Sequence, residues 1–404
     1  MKPSMAKTKT KANHSRNSSE AQLHGTNRPL VKTKSQKPIA TLLTEAATHL
    51  TQSQPDLALP LATSAISRLT NDPSEKDVSI PAALCLLAEI QLELGDADSA
   101  RTNYQKAVSL DPEKTLGAEV WFSLAQLSEV GGQESINFYE NGTQILRVKI
   151  QNAPEEFEDE EECIPRLGDA LCAMVEVYMT DLSWEEDAEQ RCEMLVTEAV
   201  ALCPDRPGVL QTLANVRISQ ERDEEARNVL KMSMESWNGP LGKRIVDGET
   251  IDAEDDGKMP EFATRVSLVR LLMDVGMERE AVQVCERLVN EDDESVEAWY
   301  LNGWGRVLLA EKTQDDEECL KLKKSARESL ATALRLYQQL DYEDDRLRDH
   351  ALELVQGLGK EVGTEDDEWE DEEDGEVDDD EEEVEFNGFD PDQDQDYDGD
   401  INMT

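Results

Sequence analysis

The stretch "PAALCLLAEIQLELGDADSARTNYQKAVSLDP", residues 81–112, constrains the fold of this chain more than any other feature. Ala100, Tyr104 and Ala107 fall on one face of a helix that Pro112 closes, because residues four and seven positions apart stack on the same side of an α-helix. Small side chains on that face mean that another backbone packs close. Gly95 separates this helix from an earlier apolar one, so the stretch reads as helix, glycine turn, helix. Such a pair cannot bury its apolar face alone and must stack on copies of itself.

Copies are present. "GVLQTLANVRISQERDEEARNVLKMSMESW" places Ala214, Ala226 and Leu230 where the first has Ala88, Ala100 and Tyr104, and "RVSLVRLLMDVGMEREAVQVCERL" repeats the turn glycine as Gly276, followed by Ala281. Weaker copies carry Ala46, Ala58, Ala62 and Ala65; Trp121, Ala125 and Tyr139; and Tyr178, Ala199 and Pro204. A seventh opens at Trp299 and Gly303 and resumes at Ala326, Leu330 and Ala333 after a charged insertion. The pattern resembles the tetratricopeptide (TPR) repeat, with its period of about 34 residues. It predicts an all-α fold: a TPR-type α-solenoid of about seven helical pairs over 38–358, ending in a polar-backed capping helix at "DDRLRDHALELVQGL". The third copy runs short around Gly131 and Gly132, the acidic stretch "NAPEEFEDEEECIP" reads as a loop before the fourth, and residues 238–260 interrupt the array.

Charge sets the partner class. The chain has 404 residues and a net charge of -50, which disfavours nucleic acid and anionic membranes and favours a strongly basic partner. Residues 1–37 hold nine Lys or Arg against Glu20, whereas 361–404 hold 24 acids and no base, leaving -34 on the middle. Residues 1–37 and 359–404 read as disordered basic and acidic tails; the basic one fits an import signal or a solvated arm. The seven cysteines include no C-x-x-C pair and read as buried free thiols of a reducing compartment. No apolar run approaches a membrane span, and no apolar segment follows the charged N-terminus, so a cytoplasmic or nuclear protein is expected.

No enzyme is expected. The chain has no G-x-S-x-G, P-loop or dinucleotide fingerprint, and only His49 and His350 of its histidines fall in helical segments. No cofactor or metal is expected either. Asp394, Asp396, Asp398 and Gly399 match the opening of an EF-hand loop, but its twelfth position would be 405, so an acidic tail is the preferred reading.

In the TPR family the first helix of each pair lines a concave groove. Carried onto this chain, the resemblance points Glu89, Glu93, Glu119, Phe122, Glu129, Glu176, Asp274, Glu297, Tyr300 and Trp304 inward. Carboxylates and exposed rings suit Lys and Arg through charge-assisted hydrogen bonds and guanidinium stacking. The inward Lys and Asn of a clamp for acidic chaperone C-termini are missing, with only Asn215 and Arg270 in equivalent places.

Residues 175–237, with the acidic tail, resemble more narrowly the dedicated assembly chaperones of the fourth large-subunit ribosomal protein. The resemblance implies a non-catalytic protein that captures that newly made client chiefly through its long, basic internal loop. It would keep the client soluble during nuclear import, with an import receptor as a further partner, and deliver it to pre-60S assembly without touching nucleic acid or membrane itself. The alternative is a TPR adaptor in chromatin or transcription that binds histones or other basic partners.

Overall fold

In the computed structural model, residues 37–71, 78–152, 158–235, 237–238 and 259–362 are described. They contain helices and turns and no β-strand. The chain divides into two compact units, Met1–Ser236 and Trp237–Thr404.

The first unit holds five helical pairs: α1 Ile39–Thr51 with α2 Pro55–Asn71, α3 Ile80–Glu93 with α4 Ala97–Ser109, α5 Glu119–Gln126 with α6 Gly132–Asn152, α7 Glu158–Met179 with α8 Ala188–Leu202, and α9 Pro207–Ser219 with α10 Asp223–Glu235. Each helix packs on its pair partner, and the second helix of each of the first four pairs packs on the first helix of the next. In the α3–α4 pair, Ser79 caps the start of α3 by accepting from the Ala82 N–H, and Asp96 caps α4 by accepting from the Ser99 N–H at 3.1 Å. Gly95 turns the chain between them at φ 78°, where a side chain would be strained. Ala88, Ala100 and Ala107 are fully buried and Tyr104 nearly so; the small residues let the helices approach and the ring fills the space left.

The second unit holds α11 Phe262–Asp274 with α12 Glu278–Glu291, α13 Val296–Lys312 with α14 Asp316–Gln339, and a last helix, α15 Asp345–Val362. Gly303 sets the distance between α13 and α14. A Cβ there would lie 2.5 Å from the Leu330 side chain and 3.1 Å from the Ala326 carbonyl.

Seven pairs and a final helix therefore lie among the described residues. Three details differ from the sequence reading. The acidic stretch before the fourth pair is largely helical, since α6 runs to Asn152 and α7 starts at Glu158; glutamate is a good helix former, and its charge alone does not make a loop. The charged insertion in the seventh pair is the first part of α14, which Asp315 caps through the Glu318 N–H. The last helix continues to Val362. The shortness of the third pair is absorbed by an eight-residue α5 and by Gly131 and Gly132, both at positive φ. The basic segment 1–36, most of the 238–260 interruption and the acidic segment 363–404, with its EF-hand-like stretch, lie outside the described residues.

Candidate functional site

The expected site residues divide between the two units. In the first, Glu89 and Glu93 project from α3 and Glu176 from α7, all exposed and with no cation paired to them among the described residues. Surrounding protein raises the Glu89 carboxyl pKa by desolvation, with no basic neighbour to offset it. Glu89 in turn adds to the burial that pushes the Tyr104 hydroxyl up to about 12 and the Cys85 thiol up to about 12. Glu176 does the same to Tyr139, whose pKa is raised first by burial and then by that carboxylate. Glu89 and Glu176 thus each stand near a tyrosine that stays neutral, and neither has a cation paired to it among the described residues.

The other expected residues of this unit are engaged. Glu119 pairs with Arg166 at 3.3 Å, and Glu129, in the α5–α6 turn, pairs with Arg101. Phe122 is half-buried: its ring centroid lies 6.0 Å from that of Tyr139, and its edge occupies the space a side chain at Gly142 would take. The ring serves the α5–α6 contact, so the exposed-ring role expected of it does not match its packing.

In the second unit Asp274, Tyr300 and Trp304 come together on an open cleft of about 320 Å³, joined by Arg270 from α11, Leu301 from α13 and Asp344, Arg346 and Leu347 from the start of α15. Glu297 is tied to Arg270. Tyr300 is buried, and its hydroxyl shares a 2.7 Å hydrogen bond with His350 Nδ1, so it too is less exposed than expected. Trp304 packs edge-on to His350 with centroids 5.2 Å apart and lies 5.8 Å from Tyr300. Burial raises the Asp274 carboxyl pKa, and Asp274 forms no ion pair among the described residues.

Sequence reasoning missed the partners more than the sites. Arg101, Arg166 and Arg270 neutralise three of the expected acids, and Asp344, Arg346 and His350 belong to a helix read only as a cap. The run of charged residues leading into that helix was the available signal, since residues at a helix start face the groove of the preceding pair as readily as solvent.

Other chemistry is sparse. Among the described residues, no group of three or more His, Cys, Asp or Glu is arranged to hold a metal ion, and no helix is long and apolar enough to cross a membrane. All seven cysteines are free, and burial raises the pKa of Cys85, Cys172, Cys192, Cys203 and Cys285 away from thiolate reactivity.

Stacked helical pairs with small residues at their contacts and acids on their first helices define a TPR-type binding scaffold. The tetratricopeptide repeat family model matches residues 81–114, the stretch of α3 and α4. A probable assembly chaperone of rpl4 from Emericella nidulans is 40% identical over 355 residues, covering 83% of this chain and 85% of the relative. Its namesake from Schizosaccharomyces pombe is 32% identical, covering 72% and 86%. A solved structure of the assembly chaperone of RpL4, Acl4, is 43% identical with a TM-score of 0.59, covering 68% of this chain and 98% of that one. The chain belongs to the family of rpl4 assembly chaperones, a family of ribosome-biogenesis chaperones and not of enzymes.

Proposed function

We propose that this protein captures the newly made ribosomal protein corresponding to rpl4 and holds its long basic internal loop against carboxylates on the first helices of the repeats. The observation that carries the reading is the 40% identity across 83% of the chain to a probable assembly chaperone of rpl4. The unpaired surface acids Glu89, Glu93 and Glu176 support the manner of binding. A loop built for ribosomal RNA binds any polyanion, and a net charge of -50 makes this chain a polyanion of defined shape. Occupying that loop blocks unspecific association with nucleic acid, so the chaperone itself needs no nucleic-acid or membrane contact.

The same reading has the pair travel from cytoplasm to nucleus with an import receptor, aided by the basic segment 1–37, and release the client into pre-60S assembly. Purification of the tagged full-length chain, with identification of its stoichiometric partner, tests it. One large-subunit ribosomal protein of the rpl4 type is the expected result. Recovery of histones or of a multi-subunit transcription complex instead would overturn it in favour of a TPR adaptor.

A further inference from the structure

The cleft of the second unit has a more specific character than a generally acidic surface. Its aromatic side is fixed in advance. Tyr300 is buried and hydrogen-bonded to His350 at 2.7 Å, and Trp304 is held against both rings with centroid distances of 5.8 and 5.2 Å. Leu301 and Leu347 supply apolar wall, and the volume of about 320 Å³ suits the end of one long side chain better than a folded segment.

The polar groups around the cleft differ in what they are free to do. Arg270 is bound to Glu297. Asp344 caps α15 by accepting from the Arg346 and Leu347 N–H groups, each at 3.1 Å. Among the described residues Asp274 has no such partner, and its carboxyl pKa is raised by burial. The lining itself is balanced, Asp274 and Asp344 against Arg270 and Arg346, but Arg270 is already paired with Glu297 outside the lining and Asp344 is taken up as the cap of α15. Among the described residues this leaves Asp274 as the lining carboxylate without a bound partner, on the same cleft as the Trp304 indole.

We propose that this cleft is a recognition pocket for a single arginine side chain of the client, its guanidinium stacked against Trp304 and hydrogen-bonded to Asp274. The proposal rests on the reading of the protein as the captor of a basic client, and it adds a residue-level preference to it. A planar guanidinium can stack on an indole and donate in its own plane at once, whereas a lysine ammonium is a compact, more strongly hydrated point charge. Arginine is therefore favoured over lysine at equal charge. Tyr300 and His350 act as positioning residues that hold the indole, not as contacts.

The test uses the full chain labelled with 5-fluorotryptophan. The fluorine resonance of Trp304, one of six tryptophans, is assigned by its loss in Trp304→Phe. The probes are capped Gly-Arg-Gly, Gly-Lys-Gly and Gly-citrulline-Gly at low salt. The arginine peptide should shift the Trp304 resonance saturably, with the lysine peptide binding several-fold more weakly and the citrulline peptide producing no saturable shift. Asp274→Asn, whose thermal unfolding serves as the folding control, should weaken the arginine peptide by about tenfold, the effect of losing one charge-assisted contact. No saturable shift with arginine, an equal response to citrulline, or an unchanged affinity in Asp274→Asn overturns the pocket. The broader reading is tested separately by the client itself: if Glu89→Lys with Glu176→Lys weakens client binding while the peptides leave Trp304 unmoved, the capture reading stands and the pocket alone is refuted.

Discussion

On α3 and α7 of the first unit, Glu89, Glu93 and Glu176 hold surface positions with no paired cation among the described residues, whereas Glu286, Glu291 and Glu297 of the second unit are bound to Arg306, Arg265 and Arg270. The first arrangement is charge without much shape, beside tyrosines that stay neutral. The second is shape with most of its charge already matched, leaving Asp274 and an aromatic cleft. Unmatched surface charge attracts at a distance and is screened by salt; a fixed cleft acts only on contact and selects by geometry. On the proposed reading, the two units would serve different stages of capturing one basic chain.

The sharpest way to break this comparison is to reverse charge in the first unit. Glu89→Lys combined with Glu176→Lys should weaken binding of the rpl4-type client at low salt by about tenfold to a hundredfold, since each change removes an attraction and adds a repulsion. Asp274→Asn in the second unit should weaken the whole client less, because that client makes many other contacts. A titration in which the double reversal binds like the parent removes the first unit from the site.

Packing comes next. Ala100→Leu and Ala226→Leu overfill fully buried positions of the first unit and should each cost about 1 to 3 kcal/mol. Gly303→Ala should destabilise the second unit, because the added carbon meets Leu330 at 2.5 Å and a backbone carbonyl at 3.1 Å, and the backbone cannot yield. Chemical unfolding of each variant, followed by far-ultraviolet circular dichroism, checks all three. Unchanged midpoints would break the repeat register.

The helical pairs were legible because Gly95, Ala100, Tyr104 and Ala107 carry a spacing that only close helix packing needs, and that spacing recurs at Ala214 and Ala226. The acidic start of α7 and the charged start of α14 were not legible as helices, because Glu and Lys runs suit a solvated helix and a loop equally. At the site, identity was visible and engagement was not. Glu129 and Arg101 are 28 residues apart, and nothing local says that they meet. Phe122 is consumed by Tyr139 and Gly142 for the same reason, and the cleft exists only because the last helix returns His350 to Tyr300, 50 residues earlier.

A smaller effect concerns the acidic segment 361–404, with its 24 carboxylates and no base. Tethered to the chain, they should act at high effective concentration on any basic segment of the client left uncovered. Deleting them should slow association at low salt, lose most of that effect near 0.5 M salt where the screening length is about 4 Å, and change dissociation less. Stopped-flow association at two salt concentrations measures it. A truncated chain that associates at the parent rate in low salt would show that long-range attraction comes from the repeats alone.

The smallest effect is the most diagnostic of unmatched charge, because stability and binding should move in opposite directions. Glu89 has a carboxyl pKa raised by burial, so its ionised form is disfavoured in the folded chain relative to the unfolded one. A raised carboxyl pKa means that the group's contribution to stability is fully present below the ordinary carboxylate range and is lost as pH rises through the folded-state value. Glu89→Gln removes that loss, so the variant should be slightly more stable than the parent at pH 7, with the advantage vanishing at pH 4. The gain is small because the carboxylate is open to water on one side. At the same pH the variant should bind the client more weakly, since the group that costs stability is the one that attracts a cation. Urea unfolding at the two pH values, beside a client titration at pH 7, gives both readings. A variant less stable than the parent at pH 7 would mean that Glu89 already has a favourable partner in the folded chain, and the contrast between unmatched and matched acids would fail at its central residue.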